Sequence, residues 1–299
     1  MTLLVVVGPT ASGKTEFAVE LGAKIGAEIV SADSVQVYRH FEIGTGKPSL
    51  EQRARVAHHL IDVVDPLEPM DAARWAALAE AAIDAIRARG KTPIVCGGSF
   101  LWVRALLFGL APAPPADEAI RTRHRERAER DGRAALHAEL VRVDPESASR
   151  LAPNDFVRVS RALEVFELTQ TPLSRWQAEH GFRTPRYPAN LLGIAHCRAD
   201  HERRIAERVS RMLEAGLVAE VRRLLEAGYA GARAMSSVGY KQVAEALANP
   251  GPLDEDALAA AIVRATRVFA RRQRTWLRDQ PVTWIDPGQA ARGELPAEN

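Results

Sequence analysis

At 299 residues the chain can bury a sizeable core in one to two domains, and its composition, 46% hydrophobic and 26% charged, is that of an ordinary soluble globular protein. No apolar run reaches the length of a membrane span, and the chain enters a strand-like run at once instead of a signal peptide, so a cytoplasmic location is expected. A net charge of +2 says little about partners, whereas the distribution of that charge says more.

The first predicted element is Leu3 to Val7, an unbroken apolar run suited to a strand buried on both faces. It leads into "GPTASGKT", in which Gly8 to Thr15 fits the phosphate-cradling pattern G-x-x-x-x-G-K-[ST]. A helix follows from Thr15, with apolar residues at Phe17, Ala18 and Leu21. Gly8 and Gly13 let the backbone around Pro9, Thr10, Ala11 and Ser12 curl so that its N–H groups and the helix N-terminus converge on an anion. Lys14 adds a point charge and Thr15 a hydroxyl for Mg²⁺. The pattern leaves open which phosphate binds, ATP included, and whether it is hydrolysed.

Further buried strands are predicted at Glu28 to Ser31, His59 to Val63, Thr92 to Cys96, Leu191 to Cys197 and Val282 to Ile285, with helices between several of them, such as Ala72 to Arg89. This alternation argues for an α/β fold: a P-loop NTPase-like three-layer core with a mostly parallel sheet. "APAPPADEA" at 111 to 119 breaks the rhythm, and the next 70 or so residues are helical and charged until "GFRTPRYPAN" at 181 to 190. The expected division is a first core segment at 1–112, an inserted all-helical domain at 113–190, and a core completion at 191–299 that ends in a basic helix. Cys96 and Cys197 both sit in strand-like stretches, where small buried thiols are expected; neither CxxC nor HExxH occurs. In "HHLID" the adjacent histidines make a poor metal pair, because strand neighbours point to opposite faces.

Asp33 lies just past the second predicted strand, on the edge where open α/β sheets bind ligands. It suits a general base or substrate-holding group, and equally a carboxylate that caps the next turn. Gln36 contacts a base edge or faces solvent. In "CGGSFLWVRALLFG", Gly97 and Gly98 permit a close backbone approach and Ser99 offers a hydroxyl on the same edge, although a plain strand-to-helix turn is equally compatible.

Charge clusters in two places. "IVRATRVFARRQRTWLRD" has six arginines from Arg264 to Arg278 with no acid between them, and Arg264, Arg267, Arg271, Arg274 and Arg278 line one helical stripe. Val268, Phe269 and Trp276 are available for packing on another face. An all-arginine stripe repels itself unless it meets an anion, and a phosphate backbone is its natural partner. "RTRHRERAERDGR" at 121 to 133 is also Arg-rich but interleaved with acids, as in an ordinary solvated helix.

"GPTASGKT", "SADSVQVYRHFEIGTGKP", "NDFVRVSRALEVFELTQTPLS", "SSVGYKQV" and "TRVFARRQRTWLR" occur here in the order found in tRNA dimethylallyltransferases, also called tRNA isopentenyltransferases, and the chain resembles that family over nearly its whole length. The resemblance implies transfer of a dimethylallyl group from dimethylallyl diphosphate to N6 of adenine 37, in tRNAs that read codons beginning with U, with Mg²⁺ as cofactor. It implies diphosphate binding by the loop with Arg204 and Arg208, and catalysis by Asp33 as general base with Ser99, which stands for a family threonine. RNA contacts are implied for Asp33, Ser34, Val35, Gln36, Ser99 and Arg121, and for Val157, Arg158, Val159, Ser160 and Arg161. They are implied also for Ser237, Val238, Gly239, Tyr240, Lys241 and Gln242, and for Arg271, Arg272, Gln273, Arg274, Thr275, Trp276, Leu277 and Arg278. No membrane partner is implied, and a monomer is expected. The chain departs from the family at Ser99-Phe100-Leu101-Trp102, usually Thr-Gly-Leu-Tyr, and at Arg39-His40, usually Arg-Gly, which bears on the fit of the channel that admits the base. Competing readings are a prenyltransferase of free adenine nucleotides, a P-loop kinase of small metabolites, and a nonenzymatic RNA-binding module.

Overall fold

The computed structural model describes residues 2–295 and divides into two compact units, one built from the segments up to Leu107 and from Tyr187 onward, the other from Phe108–Arg186. The first unit holds a six-stranded sheet: β1 (Leu3–Val7), β2 (Glu28–Ser31), β3 (His58–His59), β4 (Pro93–Gly97), β5 (Ala189–Ile194) and β6 (Val282–Ile285). Its order is β3-β2-β4-β1-β5-β6, and every pair is parallel. The helices of this unit are α1 (Lys14–Ile25), α2 (Leu50–Arg55), α3 (Ala72–Ala88) and α4 (Phe100–Phe108) before the second unit. The second unit contains α5 (Glu118–Asp131), α6 (Arg133–Val143), α7 (Pro145–Arg150), α8 (Phe156–Thr169) and α9 (Leu173–His180). After it come α10 (Arg198–Glu214), α11 (Leu217–Glu226), α12 (Tyr240–Ala248), α13 (Glu255–Leu277) and α14 (Pro287–Ala291).

Central strands read as continuous apolar runs because both sheet faces are covered. Register places Val6 beside Cys96 and Leu192, and these residues pack with Phe17, Ala18 and Leu21 of α1. The alternate side chains of the strands face the opposite way. The connection from β1 to β2 runs one way along the sheet and that from β3 to β4 the other, so right-handed crossovers put α1 and α3 on opposite faces. This is the expected P-loop NTPase-like layering. Where β1 and β4 lie side by side, their outgoing connections diverge, which opens a crevice at the carboxyl ends of both strands.

Three local expectations are corrected. The strand expected at His59 to Val63 is only His58–His59, because Leu60 and Asp62 adopt positive φ (62° and 60°) and turn the chain out of the sheet. β5 ends at Ile194, short of Cys197. Cys197 is exposed, not buried: it is the N-cap of α10, its Sγ accepting the Asp200 N–H at 3.4 Å, and a helix start of this kind sits at the surface. Cys96 is buried as expected, and burial pushes its thiol up to about 12. His58 and His59 face different partners, the Val56 carbonyl and the Glu28 carboxylate.

Leu136, Leu140, Ala148, Val159, Ala162 and Leu163 form the core of the second unit. Its polar interior centres on Glu164, fully buried, whose carboxylate accepts from the Asp117 N–H (2.6 Å), Arg121 Nε (3.1 Å) and one Arg161 guanidinium N–H (2.6 Å). The interleaved arginines of α5 are paired, Arg123 with Glu167 and Arg125 with Glu118, as in an ordinary solvated helix.

Candidate active site

The loop after β1 is gripped from outside. Ala11 (φ 63°) and Gly13 (φ 83°) are left-handed, which curls the chain into the first turn of α1. Three consecutive carbonyls turn outward: Thr10 accepts from His201 Nε2 (2.8 Å), Ala11 from Arg204 Nε (2.9 Å) and Ser12 from His196 Nε2 (2.9 Å). Gln273 of α13, only 6% exposed, accepts the Thr10 N–H at 2.8 Å and donates to the Gly98 carbonyl at 3.0 Å. One amide thus spaces the loop after β1 from the loop after β4.

Asp33 does half of each job left open by the sequence. Its Oδ1 accepts the N–H groups of Val35 (2.9 Å) and Gln36 (3.3 Å), closing the turn after β2, while its Oδ2 receives no hydrogen bond among the described residues. The neighbouring loop is held against this turn by Gly97, where a Cβ would lie 2.1 Å from the Ala32 carbonyl oxygen. That close approach brings in Ser99, whose Oγ accepts the Ser34 N–H at 2.8 Å. Gln36 is buried rather than solvent-facing: its amide donates to the Gly46 carbonyl at 3.1 Å and its oxygen accepts from Ser31 Oγ at 3.2 Å.

These groups line one cavity of about 340 Å³. Lys14, Thr15 and Arg208 stand at its phosphate-loop end, with Asp33 and Ser99 beside them, and Val209, Met212, Ile262 and Phe269 supply apolar wall. Burial lowers the pKa of Lys14, and Arg208 pushes the same way while Asp33 opposes. Burial also lowers that of Arg208, again opposed by Asp33; its guanidinium donates to the Thr45 carbonyl at 3.3 Å. Neither cation forms an ion pair among the described residues, so the cavity holds half-buried positive charge that an anion would neutralise. Met212 and Arg233 were not singled out in the sequence, and Phe269 was expected only to pack, because the lining comes from separate segments that only folding assembles.

The remaining expected site residues divide by exposure. Ser237, Val238 and Gly239 line the cavity, and the Gly239 N–H donates to Gln242 Oε1 at 2.8 Å. Tyr240 is fully buried; its hydroxyl accepts the Gly44 N–H at 3.1 Å and donates to Glu220, and burial drives its pKa up. Lys241 lies beside Glu245 on the surface of α12. Val159 and Ser160 are buried, Arg121 and Arg161 are paired with Glu164, and Val157 and Arg158 are exposed. On α13, Gln273 and Leu277 are buried, Trp276 stacks on Phe100 (4.2 Å between ring centres), and Thr275 Oγ donates back to the Arg271 carbonyl. Arg264, Arg267, Arg271, Arg272, Arg274 and Arg278 are all exposed. The stripe holds no acid between Arg264 and Arg278 but does not lack one in space, since Glu202 of α10 reaches Arg267 at 3.9 Å. Val268 and Phe269, expected to pack, are about 40% exposed, with Phe269 forming part of the cavity wall.

Comparison with known proteins converges on one family. The IPP transferase model matches residues 36–280. The tRNA dimethylallyltransferase of Sorangium cellulosum is 62% identical over 283 residues, 95% of this chain and 90% of that protein. The tRNA isopentenylpyrophosphate transferase of Bacillus halodurans superposes with a TM-score of 0.69 at 34% identity, over 95% of this chain and 89% of that one. A eukaryotic dimethylallyltransferase captured acting on tRNA gives a TM-score of 0.78 at 25% identity, over 95% and 73%. With the phosphate loop, the capped carboxylate and the arginine helix in place, and similarity running through most of its length, the chain belongs to the IPP transferase family.

Proposed function

We propose that the protein transfers a dimethylallyl group from dimethylallyl diphosphate to N6 of adenine 37 in tRNA. The observation that carries this reading is a cavity that joins Lys14 and Arg208, neither ion-paired among the described residues, Asp33, whose Oδ2 accepts no hydrogen bond among them, and an apolar wall. In the reaction the allylic C1–O bond breaks, the N6–C1 bond forms, and diphosphate leaves. Lys14, Arg208 and the loop N–H groups stabilise charge developing on the departing diphosphate. N6 is a weak nucleophile because its lone pair is delocalised into the ring, so Asp33 Oδ2 takes its proton during attack. Val209, Met212, Ile262 and Phe269 shield the allylic chain from water. The base is delivered flipped out of the anticodon loop, with exposed arginines of α13 on the RNA backbone.

Magnesium fits this site as a shared ion. Thr15 offers a hard oxygen donor, whereas among the described residues no three His, Cys, Asp or Glu side chains gather to cage a metal. Bound there with the substrate phosphates, Mg²⁺ supplies charge neutralisation of the leaving group. The protein acts as a soluble enzyme in the cytoplasm; among the described residues no helix is long and apolar enough to cross a membrane.

The deciding experiment incubates the protein with Mg²⁺, radiolabelled dimethylallyl diphosphate and unmodified tRNA bearing A36-A37-A38, with parallel reactions on AMP and with ATP alone. Label at A37 is expected. Label on AMP alone would transfer the reading to a free-nucleotide enzyme, and phosphorylated product without prenylation would transfer it to a kinase.

A further inference from the structure

The outward grip on the phosphate loop contains a chain of contacts that begins on the arginine helix. The Arg274 guanidinium donates to His201 Nδ1 at 2.6 Å, and His201 Nε2 meets the Thr10 carbonyl at 2.8 Å. These two partners admit only one form of the ring. An arginine cannot accept and a carbonyl cannot donate, so His201 is the neutral imidazole with its proton on Nε2. Burial, together with the charges of Arg274 and Arg204 and the neighbouring His196, lowers the pKa of His201 and favours that form.

What the ring holds is the direction of a peptide. A trans peptide is planar, with its N–H opposed to its C=O, so fixing the Thr10 carbonyl toward α10 aims the Ala11 N–H the other way. His196 does the same for the Ser12 carbonyl and the Gly13 N–H, and its ring lies nearly parallel to that of His201 (13°, centres 6.5 Å apart). Neither the Ala11 nor the Gly13 N–H donates to protein among the described residues, which leaves both for an anion. Ala11 occupies left-handed space without being glycine, so its orientation is maintained by its surroundings.

We propose that His201 is a positioning residue and that Arg274–His201–Thr10 forms a relay by which the exposed face of α13 sets the alignment of the diphosphate-binding amides. Arg274 is exposed and lines an outer groove of about 500 Å³ with Arg267 and Arg271. A phosphate of RNA drawn to that groove acts directly on the first member of the relay, so acceptor binding and donor binding share a physical link. The inference rests on the proposed use of the loop for diphosphate.

Its test uses inorganic pyrophosphate with Mg²⁺, titrated calorimetrically into the full chain without tRNA. His201→Phe, which removes donor and acceptor, is expected to weaken pyrophosphate binding about tenfold. His201→Gln, which retains both, should stay within about threefold of wild type. Arg274→Met is a surface change that folds independently of the buried ring; it should weaken binding about threefold alone and add nothing in the His201→Phe background. In steady-state assays the losses should fall on KM for dimethylallyl diphosphate and not on kcat. Equal pyrophosphate affinity in wild type and folded His201→Phe, or strictly additive effects of Arg274→Met and His201→Phe, would overturn the relay alone. Wild-type protein that binds no pyrophosphate would overturn the phosphate-loop reading and the relay together.

Discussion

Ser99 Oγ accepts the Ser34 N–H across 2.8 Å, which joins the loop after β4 to the turn that carries Asp33. With Asp33 in its proposed role as base, the hydroxyl would act through the position of that carboxylate, with which it shares no hydrogen bond among the described residues. Ser99→Ala leaves a part-buried N–H without a partner and is expected to lower the single-turnover rate about tenfold, whereas Ser99→Thr should remain within about threefold. Equal rates for Ser99→Ala and wild type would show that the turn holds without it.

Asp33 uses one oxygen for the turn, and the other accepts no hydrogen bond among the described residues, so two substitutions separate its roles. Asp33→Asn keeps an acceptor for the turn but cannot take a proton; a rate loss of about 10²- to 10⁴-fold is expected with unchanged melting temperature and tRNA affinity. Asp33→Ala should lose the same activity and also melt lower by a few degrees, about 1 kcal/mol of turn stabilisation. Retained rates in Asp33→Asn would remove it from the base role.

Gly97 is a packing requirement. A methyl at that position meets the Ala32 carbonyl oxygen at 2.1 Å, and separating the two strand ends to relieve it would strain the Ser34 N–H to Ser99 Oγ bond. Gly97→Ala is expected to lower the thermal midpoint by about 5 °C or more. Calorimetric melting checks this, and an unchanged midpoint would mean that the β2 and β4 ends separate freely.

Acid sensitivity is expected from Glu28. Burial raises its pKa, but hydrogen bonds from Lys91, His59 and Arg89 outweigh that and bring it to about 2 from 4.5. A depressed carboxylate stabilises the fold fully above its unfolded pKa, and that contribution is lost as pH falls from about 4.5 toward 2. The melting temperature of Glu28→Gln should therefore lie below wild type at pH 7, and the gap should narrow through this range. A constant gap would assign the effect to packing.

Arg264, Arg271 and Arg272 are exposed and have no ion pair among the described residues. Changing all three to Gln should weaken tRNA binding and flatten the dependence of log K on log salt by about 0.7 to 0.9 for each phosphate no longer neutralised. Pyrophosphate affinity should be unaffected. A salt slope equal to wild type would remove these residues from the RNA interface.

Much of the architecture was legible because local chemistry imposes it. Apolar runs bounded by turn residues marked the central strands, and "GPTASGKT" marked the loop, since a phosphate cradle needs glycine at set positions whatever surrounds it. The three-to-four spacing of arginines likewise placed them on the exposed side of α13. The short β3 was not legible, because positive φ at Leu60 and Asp62 is imposed by tertiary packing on residues that ordinarily avoid it.

The sequence by itself determined which chemistry the chain carries: a phosphate loop, a carboxylate after β2 and a basic helix, each written in contiguous residues. The tertiary structure alone decided how they are set against one another. Gln273 looks like one more polar residue in an arginine run, yet it lies between Thr10 and Gly98; His201 looks like a surface residue of a charged helix, yet it is 3% exposed against Thr10. Such partners are separated by well over a hundred positions, and no local pattern encodes a contact whose energy is realised only when distant backbone groups are brought together and desolvated.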